Sequence, residues 1–423
     1  MKITIACDVL GEANNGTSIA TLNLIKFLIK RGHEVKVISN NFAKTGIPEE
    51  NQYLLPTLNL GSFANSIIEK NGVSLAKTDT DLIYEVVKDC DLVHIQLPFM
   101  VGRATIKIAK ELDKPITASF HCQAENVSVH VGLQNNLWVS RLIYKNFYSS
   151  VYKYCDCVHY PTEFIRKTFE KACHHKTNAY IISNGVNEIY KNHHEAKNHE
   201  GFIIASTGRL SHEKAQDVLI KAVSLSKHKN QIKLKFAGGG PLEDEYKKLA
   251  LSLNVDADFK SYSRTDLVDM LNQADLYVHS AFIEIEAISC IEAICCGLVP
   301  VISNAKRSAT KAFALDNKSL FKEGNPQDLA KKIDFWIEHP DVKAEYVKKY
   351  EIMSKQFDQE ECMKRMEDMM MQSLRLHWFA DFVLSVSRLL RQSTLNDEKT
   401  GGLHRTVVIS TRSLETSLRV QPP

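Results

Sequence analysis

The sequence predicts an α/β protein built from two doubly wound, Rossmann-like domains that face a central cleft. Three observations carry this. The chain has 423 residues, enough for two or three domains. From its start, short Val- and Ile-rich runs alternate with longer segments of helical periodicity, the pattern of a parallel sheet with crossover helices. At 188–200 the run EIYKNHHEAKNHE interrupts that alternation, which then restarts at Phe202. The expected plan is a first domain at 1–187, a linker at 188–200 and a second domain at 201–350. A helix at 351–371 then returns to the first domain, and an atypical tail at 372–423 lies outside the fold.

The elements follow in order. Residues 2–8 (KITIACD) read as a buried strand, and the polar turn 11–17 leads into a helix over 18–30. Arg31-Gly32-His33 ends that helix, and 34–39 is the next strand, completing a βαβ unit. Gly16 is the one well-placed glycine of this turn, and without G-x-G-x-x-G a dinucleotide fingerprint is not supported. Further strands are expected at 92–96, 116–120, 157–160 and 179–182, the last ending in Ser183-Asn184-Gly185-Val186. In the second half, strands at 202–206, 234–237, 257–260, 276–279 and 299–302 alternate with helices at 216–226, 242–253, 265–273 and 288–296. Asn325-Pro326 and His339-Pro340 bound a helix at 326–338. In such a fold ligands sit beyond the carboxyl ends of the strands.

Composition narrows the function. With 44% hydrophobic and 24% charged residues, the chain is an ordinary globular protein, and a net charge of +3 does not argue for nucleic acid. No run approaches the roughly 18 apolar residues of a membrane span, and the N-terminus lacks the features of a signal peptide. Ten cysteines without framework spacing read as reduced thiols in a cytoplasmic protein. Cys155 with Cys157, and Cys173-His174-His175, lack the second matching pair of a zinc site, so no metal site is expected. Beyond about residue 374 the composition shifts to six arginines against a single lysine, Lys399. Residues 374–390 have some amphipathic character, which leaves open a helix lying on a membrane surface.

Several connections hold candidate chemistry. Gly208-Arg209-Leu210 follows a strand, with Lys214 five residues past Arg209, where a pyrophosphate would meet two cations and a helix N-terminus. Gly238-Gly239-Gly240 follows another strand and permits close backbone approach to a ligand, though its spacing equally suits a merely permissive turn. His121 ends the strand at 116–120, where it is either a satisfied structural residue or one placed to contact a substrate hydroxyl or share in proton transfer. In AFIEIEAISCIEAICCG, Glu284 and Glu292 stand eight positions apart around a turn that opens a helix. Paired carboxylates there suit hydroxyl groups, as in a sugar or a ribose, and equally suit a solvated pair favoured by the helix dipole. Leu137 opens and Tyr154 closes LWVSRLIYKNFYSSVYKY, which mixes Trp138, Tyr144, Phe147, Tyr148, Tyr152 and Tyr154 with Arg141, Lys145 and Lys153. That mixture suits a membrane interface, and it equally suits a helix whose aromatic face is core.

Arg209 with Lys214, then Glu284-x7-Glu292 followed by Ala293 and Gly297, resembles the donor site of the retaining glycosyltransferases of family four, which have the GT-B fold. Asn184-Gly185-Val186 resembles that family's step out of the first domain. Within the family, SFHCQAENVSVHVGL, EIEAISCIEAICCGLVPVIS and SATKAFALDNKSLF resemble bacterial cholesterol α-glucosyltransferases and, more loosely, the glucosyltransferases acting on diacylglycerol. The resemblance implies a UDP-glucose donor, no separate cofactor, chemistry without a metal, and retention of the anomer. It implies a lipid hydroxyl as acceptor, docking of 137–154 on an anionic membrane, and a cytoplasmic protein held at the inner face of the plasma membrane. It further implies that Arg209 and Lys214 neutralise the diphosphate and that Glu292 binds the ribose. Glu284 would hold the donor sugar with the amides of Glu286, Ala287 and Ile288; His121 would sit near the anomeric carbon, and Gly16 and Gly239 would make room for the donor. Two alternatives accompany this: a family-four transferase of capsule or polysaccharide synthesis, and a binding protein without turnover. The family's common Phe-Gly after the first Glu is replaced by Glu286-Ala287, and Glu286 has no role in that pattern.

Overall fold

The computed structural model describes residues 1–10, 16–43, 45–58, 76–125, 136–194, 197 and 199–398. Seven strands form the first sheet: β1 Lys2–Ala6, β2 Glu34–Ser39, β3 Gln52–Leu54, β4 Leu92–Ile95, β5 Ile116–Ser119, β6 Cys157–Tyr160 and β7 Ala179–Ile181. Their order is β3-β2-β1-β4-β5-β6-β7 and every pairing is parallel. The second half contributes β8 Phe202–Thr207, β9 Ile232–Ala237, β10 Ala257–Lys260, β11 Leu276–His279, β12 Ile283–Glu284, β13 Pro300–Ser303, β14 Arg307–Ser308 and β15 Leu320–Phe321. Six of these form a parallel sheet, β10-β9-β8-β11-β13-β15, while β12 and β14 pair separately. The strand order reverses between β1 and β4 and again between β8 and β11, and such a switch point opens a crevice for ligand.

The sequence accounts for these elements. Strands covered on both faces read as continuous apolar runs, and the residues of β4, β5, β6, β11 and β13 are all buried. The helix Pro326–Glu338 starts as expected, with the Asn325 side chain accepting from the Asp328 amide at 2.9 Å. His339-Pro340 does not end helical structure there, because proline is tolerated in a first turn and opens the next helix, Pro340–Ser354. The two- and three-residue strands β3, β12, β14 and β15 are too short to show a period and were not expected from the sequence.

Where it is described, the stretch 188–200 is pinned to the second domain. Tyr190 is buried, the His193 amide donates to Asn272 at 2.8 Å, and Lys197 pairs with Asp275 at 3.0 Å. The chain crosses between domains twice, and the crossings bond to each other: the Val186 amide donates to Phe357 O at 2.7 Å and the Gln359 amide to Val186 O at 3.2 Å. Gly185 has φ +73°, and a Cβ there would lie 2.6 Å from Gln359 Cα, so the crossing requires glycine. The helix expected at 351–371 is instead divided: 351–354 close the helix Pro340–Ser354, and a tight turn Lys355–Phe357 follows. The helix Gln359–Glu398, running past 371, then places Cys362, Met363, Met366, Met369, Met370 and Leu374 in the core under β1 and β2. His33 Nε2 and Arg31 Nε reach Glu367 of that helix at 2.6 and 3.2 Å. Residues 1–374 form one compact unit, and 375–398 continue the helix in a second, with Trp378, Phe379 and Phe382 exposed. Residues 399–423, including Lys399, lie outside the described residues.

Candidate active site

The switch point of the second sheet brings two connections together. After β8 come Gly208, Arg209 and a tight turn, His212–Lys214; after β11 come Ser280 and the segment bearing β12. The Lys214 ammonium donates to the Glu284 carboxylate, and His279 Nε2 lies 3.1 Å from the same oxygen, Oε1. Backbone contacts fix the pair, with the Ser280 hydroxyl donating to Lys214 O at 2.8 Å and the Phe282 amide to Glu213 O at 3.0 Å. Burial alone would raise the Glu284 carboxyl, but the Lys214 charge and the bonds from His279 and Lys214 outweigh it and hold the group at about 2. Glu284 is thus a carboxylate across the working pH range, able only to accept hydrogen bonds. His279 is buried, and its Nδ1 lies 3.4 Å from the Tyr277 hydroxyl, itself 2.9 Å from Thr207 Oγ1.

Glu292 sits on the helix Ile288–Cys295, which starts after Ala287 in the left-handed region at φ +61°. The first amides of a helix lack intrahelical partners and, with the dipole, favour an anion. Ala287 and Ile288 therefore stand where a phosphate or a sugar oxygen finds donors. Burial raises the Glu292 carboxyl to about 7, against the opposing hydrogen bond from Tyr190 and the charge of Arg264. Arg209 is exposed, and its carbonyl accepts from Gln216 Nε2 at 2.9 Å. Of the three glycines after β9, Gly239 is exposed and a Cβ there would meet nothing closer than 3.6 Å. The demand for glycine falls on its neighbours: a Cβ on Gly238 would lie 2.2 Å from Gly208 O, and one on Gly240 would lie 2.3 Å from Leu210 O.

In the first domain, Gly16 opens the helix Gly16–Lys30 and is exposed, while Asn14 and Asn15 lie outside the described residues. His121 follows β5, its ring edge-on to His159 at 5.8 Å between centroids. Burial, then the rings of His159 and His94, hold His121 well below the ordinary imidazole value, so it is neutral. Behind it a buried chain of bonds crosses three strands. Thr117 Oγ1 lies 2.9 Å from His94 Nδ1, His94 Nε2 3.0 Å from Ser119 Oγ, and Ser119 Oγ 3.0 Å from His159 Nδ1. His159 Nε2 lies 2.7 Å from Ile182 O, which can only accept, so that nitrogen carries the proton and Nδ1 accepts from Ser119. The loop after β5 also reaches the second domain, since Gln123 Nε2 donates to Arg307 O at 3.2 Å and Arg307 pairs in register with Ile283, next to Glu284. The structure thus joins Lys214 to Glu284 directly and brings the loop bearing His121 to the β12–β14 pair; the quoted run SFHCQAENVSVHVGL leaves the described residues after Glu125.

Residues 137–154 divide between two fates. Tyr144, Phe147 and Tyr152 are core, while Trp138 and Leu142 are 75% and 64% exposed on the helix Leu137–Ser150, beside exposed Arg141 and Lys145. The cysteines are all free, and among the described residues no group of three His, Cys, Asp or Glu is arranged to hold a metal. His174 caps the helix Glu163–Cys173 and His175 stacks on Tyr148 at 4.3 Å. Three Asp-x-Asp triplets are present, at 79–81, 89–91 and 256–258. Asp79 caps the helix Thr80–Val87, Asp91 accepts from the Lys2 amide at 2.7 Å, and Asp256 and Asp258 are exposed. Sequence reasoning passed over His279 and Tyr190. His279 carried the signal that selected His121, a polar residue at the carboxyl end of a strand; Tyr190 is the one aromatic side chain in a polar stretch.

Comparison with known proteins assigns the chain. Residues 14–188 match glycosyltransferase family 4, and residues 186–356 match glycosyl transferases group 1. The chain belongs to the GT-B glycosyltransferases. This glycosyltransferase is 24% identical over 329 residues to the alpha-monoglucosyldiacylglycerol synthase of Streptococcus pneumoniae, covering 72% of this chain and 71% of that protein. It shares its fold with Anabaena HepE in complex with UDP, at 18% identity and TM-score 0.67 over 87% of this chain and 99% of that one. It is 46% identical to the catalytic domain of the cholesterol-alpha-glucosyltransferase of Helicobacter pylori, over 36% of this chain and 97% of that chain, with a TM-score of 0.34. No described helix of the glycosyltransferase is long and apolar enough to cross a membrane.

Proposed function

We propose that this glycosyltransferase moves glucose from UDP-glucose to the hydroxyl of a membrane lipid, a sterol or a diacylglycerol, with retention of the anomer and without a catalytic metal. The observation that carries the reading is the pairing of Lys214 with Glu284 across the switch point, beside the N-terminus of the helix bearing Glu292. Without donor, each charge satisfies the other. A diphosphate entering beside Arg209 competes for Lys214 and frees the Glu284 carboxylate, still bonded to His279, for the sugar hydroxyls. Negative charge grows on the leaving diphosphate, so the two cations act most strongly in the transition state. The leaving phosphate takes the acceptor proton on the same face, which preserves the anomer. Glu292 takes the ribose hydroxyls. Neutral His121 offers a hydrogen bond near the anomeric carbon without adding charge there, and Gly16, Gly239, Ala287 and Ile288 line the path of the phosphates and the sugar.

The lipid acceptor is supported by the name of the pneumococcal relative and by the exposed Trp138, Arg141, Leu142 and Lys145, which would place the first domain on the anionic inner face of the plasma membrane. The test is transfer from several UDP-hexoses to cholesterol, diacylglycerol and ceramide in vesicles, with the product anomer read by NMR. Wild type should form an α-glucoside. Lys214→Ala should lower kcat by roughly a hundredfold or more, the loss typical of removing one transition-state charge contact. A β-product, or equal inertness of wild type and variant across all donors and acceptors, overturns the proposal.

A further inference from the structure

Glu286 sits between the donor-facing Glu284 and the helix Ile288–Cys295, yet its bonds all run to the other domain. The Ser183 hydroxyl donates to Oε1 at 2.5 Å, and the Asn184 amide lies 3.2 and 3.3 Å from Oε1 and Oε2. Asn184 Nδ2 donates to Oε2 at 2.6 Å, while Ser183 Oγ in turn accepts from the Gly185 amide at 3.1 Å. Glu286 is only 4% exposed, so these donors replace the water a carboxyl group would otherwise hold. The preceding residue is held as well: the Thr162 hydroxyl donates to Ile285 O at 2.8 Å, and the Ile285 side chain packs against the first-domain core. Residues 183–185 are also the crossing point between the domains, where Gly185 presses against Gln359.

We infer that Glu286 is a positioning residue, a latch that ties the donor loop to the interdomain crossing so that domain angle and donor-site geometry are set together. A residue bound this way fixes Glu284, two positions earlier, and the first amides of the following helix against the first domain. It also gives a physical role to the carboxylate that stands where the common family pattern has phenylalanine. For its kinetic arm the inference rests on the glucosyl-transfer reading; its structural arm does not.

The test pairs Glu286→Leu with a reciprocal exchange, Asn184→Asp with Glu286→Gln, in the full chain. Asn184→Asp alone sets two carboxyl groups against each other at the Oε2–Nδ2 contact, whereas the exchange reverses that bond and restores it. Ketone-bearing residues introduced at exposed Lys107 and Lys248, one in each domain, carry spin labels for distance measurement. Glu286→Leu should fold, broaden the interdomain distance distribution, and raise KM for UDP-glucose by about tenfold or more with a smaller change in kcat. The exchange should return both readouts to within about threefold of wild type, against a larger loss in Asn184→Asp alone, as expected of directly coupled residues. Wild-type distances and KM in folded Glu286→Leu overturn the latch. Should Glu286→Leu not fold, an exchange no better than Asn184→Asp overturns it instead. A wild type that transfers no glucose defeats the functional reading, and the distance arm still decides the latch.

Discussion

At the scale of single residues, Glu284, Glu286 and Glu292 show how environment separates identical side chains. Glu284 is held at about 2 because Lys214 and His279 outweigh burial, while Glu286 and Glu292 rise to about 7 because burial wins over their hydrogen bonds. The sequence spaces Glu284 and Glu292 as a pair, and spacing alone does not separate their chemistries. Ala287 gives a second contrast. Its φ of +61° places Cβ against the following carbonyl, which costs an L-residue about 1–2 kcal/mol, and glycine is free of that clash. Glycine also gains unfolded-chain entropy, which takes back about half a kcal/mol or more. Ala287→Gly should therefore stabilise the protein by roughly 0.5–1 kcal/mol, read as an upward shift of the urea midpoint at unchanged slope. An unchanged or lower midpoint would show that the strain is relieved by neighbouring backbone.

At the scale of elements, the helix Leu137–Ser150 carries two patterns on one sequence, which is why composition alone left both readings of it open. Its inner positions, Tyr144 and Phe147, are buried in the first core, while Trp138, Arg141, Leu142 and Lys145 share the exposed side at helical spacing. An interfacial tryptophan and basic groups worth about 1 kcal/mol each near an anionic surface make this side the expected membrane contact. Trp138→Ala with Lys145→Glu should then cut flotation with anionic vesicles by about tenfold or more, since the second change reverses a charge. The measurement belongs on the full chain and on a chain ended after Leu374, because Trp378, Phe379 and Phe382 offer a competing aromatic surface. Binding that depends on the tail and ignores the helix variant would sink this contact. The strands β8 to β11 and the helix Pro326–Glu338 were legible, as apolar runs and as an Asn-Pro start. The helix Pro340–Ser354 was not, because His339-Pro340 reads as a stop, and the helix Gln359–Glu398 runs past the expected end at 371. The Lys214–Glu284 contact was not, because it joins residues 70 positions apart through a loop conformation that no local pattern encodes. The crossing between domains was legible only as Asn184-Gly185-Val186, without its partners Glu286, Phe357 and Gln359.

At the scale of the whole molecule, buried titratable groups set opposite pH responses. His94 and His159 are pushed down to about 3 and about 4, chiefly by burial, so the folded chain refuses protons that the unfolded chain accepts below about 6.5. Their contribution is fully present above that value and is lost as pH falls toward 4 and below. Glu286 runs the other way. Its folded value of about 7 lies above the ordinary glutamate value of 4.5, so the folded state keeps a proton that the unfolded chain releases. That contribution is complete below 4.5 and is lost as pH rises through about 7, by at most ~3 kcal/mol for a shift of this size. Between these limits the two kinds of group offset each other, which hides each in the wild-type curve. Subtraction separates them, because Glu286→Gln keeps the bonds to the Ser183 hydroxyl and the Asn184 amide and lets the Asn184 side chain turn to present its oxygen, yet cannot titrate. The unfolding free energy of wild type minus that of Glu286→Gln should therefore fall stepwise between pH 4.5 and about 7 and level off above it, as read from urea titrations across that range. A difference that does not change with pH would mean that the Ser183 and Asn184 donors keep Glu286 ionised in spite of its burial, and that the latch is a charged one at every working pH.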